Sequence, residues 1–347
     1  MIEKHLLVIN YRMDLGDQVF SHQVQTVEAL AKHYRRVTVL TGRVGSFSVP
    51  NNVEVISSDW IPGRRFRSTT RFLFSFIKVC RNSPFDLVFS HMTEVQSALI
   101  AIPLRVFRVP HFLWYAHKSR SIYFMFCSWL LTGIISSSPG SVPISSKKVS
   151  LIGQAINFEN FAPKSTFDWP PLKFIHVGRL DPSKKVSEII ELVTSYRISY
   201  PTAELVIVGS PISPSSNRYF DELLSKYSKA LEDGWLRFVP YIHRSELPKT
   251  LVEFDGFVHA FRGSLDKTLI EATATMLPVV TLNLEYLNQF GTWGQENPPS
   301  SLTSELESLV ARNRVEVVKE LEFRRDFARM HHSFDEWIEN LVEIIDE

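Results

Sequence analysis

The chain has 347 residues, 44% apolar and 22% charged, with a formal charge of +1. This composition excludes disordered, collagen-like and coiled-coil readings, and near neutrality removes the phosphate-neutralising field of a dedicated nucleic-acid binder. The length sets an expectation of two domains of roughly 150 to 170 residues, and two cysteines, Cys80 and Cys127, without metal-ligand spacing fit a reducing cytosol better than a disulfide framework.

Taken in chain order, Met-Ile-Glu-Lys runs at once into HLLVINY, which reads as a first strand and lacks the apolar core and cleavage site of a signal peptide. An amphipathic stretch from Val19 to Tyr34 and the strand VTVLTG follow. From Trp60 to Arg81 the chain carries Arg64, Arg65, Arg67, Arg71, Lys78 and Arg81 without an acid, interleaved with Phe66, Phe72, Phe74 and Phe76. Such a segment is either a solvated helix face over an aromatic core or a contact with an anionic membrane surface; no RNA-binding motif accompanies it. DLVFSH and PHFLWYAH read as further strands. The apolar run Tyr123–Ile135 is too short for the roughly 20 residues of a spanning helix.

From Ser136 to Pro171 the composition shifts to Ser, Pro and Gly, the mark of a connection. The pattern then restarts with KFIHVGRL as a strand, Val186–Tyr200 as a helix, AELVIVGS, a helix over Tyr219–Glu232, then LRFVPYI, GFVHAF and PVVTLN. Alternating strand-like and helix-like segments predict parallel sheets buried on both faces. At the end, Phe334, Trp337, Ile338, Leu341, Val342 and Ile345 recur at helical spacing. The predicted domains are residues 1–165, 166–333 and a helix over 334–347, whose periodicity leaves open whether it packs on the second domain or crosses back to the first.

Three places are chemically loaded. In VGRLDPSKK a strand ends in Gly178, and Arg179 and Lys184 flank a strand-to-helix turn where both cations can converge on a diphosphate; the plainer alternative is two solvated cations. In GSLDKTLIEATATMLPVVTLN, Gly263 and Ser264 lead into a helix start whose free N–H groups can hold phosphate, and Glu271, a turn inside, can accept from ribose hydroxyls. There the plainer alternative makes Asp266 a helix cap and Glu271 a solvated residue. In WYAHKSRS, His117 follows a strand, where a general acid/base or a packed structural histidine would sit, and the same choice holds for His91 and His22.

In this order the blocks HVGRLDPSKKVSEIIELV, ELVIVGS, FVPYIHRSELPKTLVEFDGFVHAF and GSLDKTLIEATATMLPVVTLN resemble the retaining, nucleotide-sugar-dependent glycosyltransferases of family four. The likeness is strongest over Lys173–Asn283 and weaker through SHQVQTVEALAKHYRRVTVLTGR and HHSFDEWIENLVEII. It implies an α/β protein of the GT-B fold, two Rossmann-like domains facing each other across a cleft. It makes Arg179 and Lys184 the cations that neutralise the departing diphosphate and Glu271 the ribose-binding second glutamate of a Glu-x7-Glu motif. The first glutamate of that motif falls on Gly263, a GSLDK variant in which Leu265, Asp266, Lys267 and Thr268 lie under the donor sugar and phosphates. It further places Gly16 near the diphosphate, although MDLGDQ lacks the family's usual double glycine, and His117 near the donor sugar. The resemblance implies a hexosyl- or N-acetylhexosaminyltransferase acting with retention, without metal or other cofactor, on a glycan or lipid-linked acceptor of the cell envelope; the expected location is the cytoplasm, with the basic aromatic segment 60–81 offering attachment to the inner face of the cytoplasmic membrane. Its rivals are a GT-B nucleotide-sugar epimerase and a non-catalytic scaffold.

Overall fold

A computed structural model describes residues 1–347 apart from 18, 62, 295 and 296, with Arg65 described as backbone only, so the side chain of that predicted basic residue lies outside the described set. The chain divides into two compact units, one formed by 1–153 with 335–347 and the other by 154–334.

The first unit contains β1 (Ile2–Met13), α1 (His22–His33), β2 (Tyr34–Val44), β3 (Val53–Ser57), α2 (Arg65–Asn82), β4 (Leu87–His91), α3 (Glu94–Val106), β5 (His111–Trp114), α4 (Ile122–Leu130), β6 (Gly133–Ser136) and β7 (Val149–Leu151). Its strands form a parallel sheet in the order β3-β2-β1-β4-β5-β6-β7, so the strand order reverses direction between β1 and β4. The apolar runs read as strands are buried on both faces, as crossover helices require. The run Tyr123–Ile135 resolves into α4, a two-residue turn and β6. Sequence reading missed β3, β6 and β7; β6 closes the apolar run Tyr123–Ile135 without a break in composition, and β7 has three residues inside the Ser/Pro-rich connection, too few to show a period.

The second unit contains β8 (Lys173–Val177), α5 (Val186–Tyr196), β9 (Glu204–Val208), α6 (Pro214–Lys226), α7 (Ser228–Glu232), β10 (Leu236–Val239), α8 (Leu247–Leu251), β11 (Gly256–His259), α9 (Lys267–Ala274), β12 (Val279–Thr281), α10 (Leu284–Phe290), α11 (Leu302–Val310) and α12 (Arg314–His332). Its parallel sheet runs β10-β9-β8-β11-β12, reversing between β8 and β11. The single helix expected over Tyr219–Glu232 is two, α6 and α7, separated at Tyr227. Residues 154–165, placed by sequence in the first domain, pack with the second. Ile156, Phe158 and Phe161 join the core around Ile175 and Phe257, and Ile156 bridges to Ser333.

The terminal helix α13 (Phe334–Asp346) belongs to the first unit from Asp335 onward. Trp337 meets Trp114 edge-on at 5.1 Å between ring centroids and lies 6.3 Å from the His91 ring, and Lys4 pairs with Asp346 at 2.8 Å. His91 is therefore a packed residue of an aromatic cluster that also takes in His22, at 5.3 Å.

Candidate functional site

In an open parallel sheet, ligand-binding groups collect at the carboxyl ends of the strands beside the point where strand order reverses, here after β8 and β11. β8 ends in Gly178, whose N–H donates to the Val208 carbonyl at 3.0 Å, and the loop turns through Asp181 into a 3-10 turn over Pro182–Lys184. Asp181 caps that turn, accepting from the Ser183 N–H at 3.0 Å and its hydroxyl at 2.6 Å. Gly209, at φ +153°, lies against the Gly178 carbonyl so closely that any Cβ would overlap it. A glycine there lets the loops after β8 and β9 touch.

Arg179 stands exposed at the tip and makes no ion pair among the described residues. Lys184 instead is buried. Its Nζ bonds the Asp266 carboxylate and lies 4.2 Å from the centre of the Phe261 ring. Asp266 also accepts from His259 Nε2 at 3.2 Å, and His259 Nδ1 meets the Thr281 hydroxyl at 3.2 Å. Burial disfavours the Asp266 charge, but the Lys184 ammonium and the His259 hydrogen bond outweigh it and hold the carboxyl well below the usual range. Burial dominates at His259 and pushes it down against the pull of Asp266, so the neutral ring donates from Nε2 and accepts at Nδ1. His176, its ring 6.0 Å from that of His259, donates from Nδ1 to the Val258 carbonyl and is pushed by burial down to about 3. Its Nε2 is buried without a partner beneath Gly178.

Asp266 occupies the N-cap position of α9, yet its side chain makes no cap bond, because Lys184 and His259 hold it. The helix start therefore presents N–H groups that no side chain satisfies. One turn in, Glu271 is buried and accepts from Arg244 Nη1 at 2.7 Å, while its second oxygen and the Thr268 hydroxyl are buried without partners. Glu271 is thus neither solvated nor fully satisfied. Lys267 is only partly covered by area, but the loss of surrounding water still pushes it down to about 7; the Arg244 charge adds to the shift and Glu271 opposes it.

The loop before α9 is fastened from three sides. Asn283, fully buried, donates to the Phe261 carbonyl at 3.0 Å and the Ser264 carbonyl at 3.1 Å while its Oδ1 caps α10. Gln154 donates to the Leu265 carbonyl at 2.9 Å, and Arg262 pairs with Glu188 of α5 at 3.1 Å. The Leu265 side chain is buried in the core with Leu269 and Ile270 rather than turned outward. Gly263 has a steric reason: a Cβ there would overlap the Phe261 ring that covers Lys184. The aromatic ring takes the space a first glutamate would need.

Gly178, Lys184, Gly263, Ser264, Asp266, Lys267, Thr268 and Glu271 thus converge in the second unit, with Arg179 at the rim. Gly16 and His117 lie in the first unit. The Gly16 N–H, expected to face a diphosphate, donates to Asp14 Oδ1 at 3.1 Å. His117 is exposed after β5, its ring 5.8 Å from that of Tyr115. Sequence reading missed His259, Phe261, Arg244, Asn283 and Gln154; only Asn283 carried a local signal, an N-cap residue before LEYL. Among the described residues no group of three or more His, Cys, Asp or Glu side chains is arranged to hold a metal ion.

A charged ligand at the start of α9 would favour the protonated form of Lys267. Binding of a nucleoside diphosphate at pH 8 should therefore take up as much as about one proton, read by calorimetry in buffers of different ionisation enthalpy, and Lys267→Met should abolish the buffer dependence. Because the folded value of about 7 lies below the ordinary 10.5, the unfolded chain binds more protons between them, and stability should rise with pH through that window.

Residues 171–316 match the family model described as "Glycosyl transferases group 1". No curated protein matches the chain. Solved structures that are similar include Anabaena Alr3699/HepE in complex with UDP and glucose, at TM-score 0.75 and 15% identity over 99% of this chain and 100% of that one. Sucrose-phosphate synthase from Thermosynechococcus elongatus gives TM-score 0.76 and 15% identity over 99% and 98%. WaaG, a glycosyltransferase involved in lipopolysaccharide biosynthesis, gives 0.65 and 14% over 98% and 99%. The two parallel α/β units are those of the GT-B fold.

Proposed function

We propose that the chain is a glycosyltransferase that moves a sugar from a nucleotide-sugar donor to a glycan or lipid-linked glycan acceptor with retention of configuration. The observation that carries this reading is the uncapped start of α9, set among Lys184, Lys267 and the half-satisfied Glu271. That is a seat for a diphosphate with a ribose beside it. Family model and similar structures support it, and the UDP named in one of them makes a UDP-hexose or UDP-N-acetylhexosamine the first donor to test.

In the proposed step the bond from the sugar C1 to the diphosphate oxygen breaks, the electron pair leaves with the phosphate, and the acceptor oxygen bonds C1 from the same face. The acceptor proton passes to the departing phosphate. Arg179, Lys184, Lys267 and the α9 amides stabilise the charge that develops on that leaving group, so the reading needs no metal. The roles of Gly16 near the diphosphate and His117 near the sugar rest on the family resemblance. The basic aromatic segment 60–81 makes the inner face of a cytoplasmic membrane the proposed place of work, in envelope glycan synthesis, and no nucleic acid is a partner.

A thermal-shift screen of UDP, GDP, ADP and their sugars, followed by a transfer assay with the donor that stabilises most, tests the reading. Release of an epimerised free sugar without acceptor would replace it with an epimerase, and binding without turnover with a scaffold. Glu271→Gln should weaken nucleoside-diphosphate binding about 10- to 100-fold and erase discrimination against a 2′,3′-dideoxy nucleotide; retained discrimination would remove its ribose role.

A further inference from the structure

Three consecutive helices of the first unit lie on one face of its sheet. Phe72, Phe76 and Val79 of α2 and Ile100 and Leu104 of α3 cover Leu7, Ile9, Leu40 and Val88, while Phe124 and Cys127 of α4 cover Leu113 and Ile134. The strand register places those six strand residues on the same side, because Leu7 stands beside Val88, Ile9 beside Leu40, Ser90 beside Leu113 and Leu113 beside Ile134. α2 touches α3, and α3 touches α4.

The outward sides of these helices are apolar where solvent-facing helices are ordinarily polar. On α2, Phe66 is 84% exposed and Phe74 75%; α3 ends in Val106 and Phe107, 70% and 77% exposed; α4 presents Ile122, Phe126 and Trp129 at i, i+4 and i+7, with Trp129 81% exposed. Single exposed apolar residues are ordinary, but a succession across three adjacent helices marks a binding surface. The same stretch is strongly basic. Residues 60–153 contain twelve Lys and Arg against two acids, Asp86 and Glu94, a local charge of +10 in a chain of +1. Arg71 pairs with Asp59, and Lys148 Nζ caps α4 through the Trp129 and Leu131 carbonyls. Arg67, Lys78, Arg81, Arg105, Arg108 and Lys147 are exposed and in no ion pair among the described residues.

We propose that the outward face of α2, α3 and α4 docks on an anionic lipid bilayer, with Phe66, Phe74, Phe107 and Trp129 entering the headgroup region and the surrounding cations meeting lipid phosphates. Charge decides the occupant. A second copy docked by the same face would set like-charged helices against each other, whereas an anionic leaflet attracts every basic side chain within a Debye length. No helix among the described residues is long and apolar enough to cross the membrane, so the contact is a surface one. The surface is larger than the segment 60–81, and it requires nothing of the transfer reaction, although a lipid-linked acceptor would be presented there.

The test is co-sedimentation of the full chain, without nucleotide, with vesicles of phosphatidylcholine alone or with 30% phosphatidylglycerol, in low and high salt. Binding should require the anionic lipid and fall with salt. Ile122→Ser/Trp129→Ser should lower it about tenfold, and Arg67→Gln/Lys78→Gln/Arg81→Gln roughly a hundredfold, with unchanged melting temperature and nucleoside-diphosphate binding. Brominated lipid should quench tryptophan fluorescence in the parent chain and much less in Trp129→Phe. Equal binding to neutral vesicles, no response to these variants, or self-association that the same variants abolish would overturn the proposal. Loss of nucleotide binding with vesicle binding intact would instead count against the transfer reading alone.

Discussion

Lys184→Met should lower turnover by roughly a thousandfold and folding stability by about 3 kcal/mol, because the substitution leaves Asp266 charged in a covered site. Lys184 is held by Asp266 and by the face of Phe261, so its ammonium does two things. In the proposed reaction it compensates a carboxylate that would repel an incoming diphosphate and supplies positive charge to the leaving group. Adding Asp266→Asn separates the two. Removing both charges of a buried pair is far less costly than removing one, so the double variant should recover most of the stability and part of the nucleoside-diphosphate affinity without recovering turnover. Denaturant melts, calorimetry and initial rates with the same donor read the three quantities. Full recovery of turnover in the double variant would make Lys184 a structural residue and shift the leaving-group role to Arg179 and Lys267.

Trp337→Ala should destabilise the first unit by about 4 kcal/mol, the range for emptying a large aromatic site in a packed core. Trp337 is 2% exposed and packs on Trp114 and His91 at the carboxyl ends of β5 and β4. Ile338, Leu341 and Ile345 bury the same side of α13, so the loss should also loosen the helix, visible as faster amide exchange over 335–346. Trp337→Phe should cost much less, because the indole N–H has no hydrogen-bond partner to lose and most of the apolar volume remains. Equally small effects of the two substitutions would mean that α13 contributes little to that unit.

Much of the fold was legible because parallel strands buried on both faces leave continuous apolar runs, as in LVIV and GFVH, and because glycine and proline mark the turns between them. The second-unit site was legible as far as its residues are consecutive: Gly178 to Lys184 span one strand-to-helix turn, and Gly263 to Glu271 one loop and helix start. The partners were not. Asp266 meets Lys184 across 82 positions and Glu271 meets Arg244 across 27, distances over which no periodicity or spacing carries information. The local reading of Asp266 as a helix cap failed for the same reason, since a distant cation competes for its carboxylate and wins.

The sequence by itself determined that the chain makes two parallel α/β units, where the glycine-bearing turns of the candidate site fall, and that the segment 60–81 is basic; composition and hydrophobic period are local properties that survive any arrangement of the elements. Tertiary structure alone decided that residues 154–165 leave the first domain for the second, that α13 returns to the first, and that Phe261 takes the space beside Gly263. It also decided which phenylalanines of the basic stretch are core and which face outward. Phe72 and Phe76 are buried against the sheet, whereas Phe74 and Phe66 join the exposed residues of α3 and α4, because burial depends on what packs against a helix and not on the residues it contains.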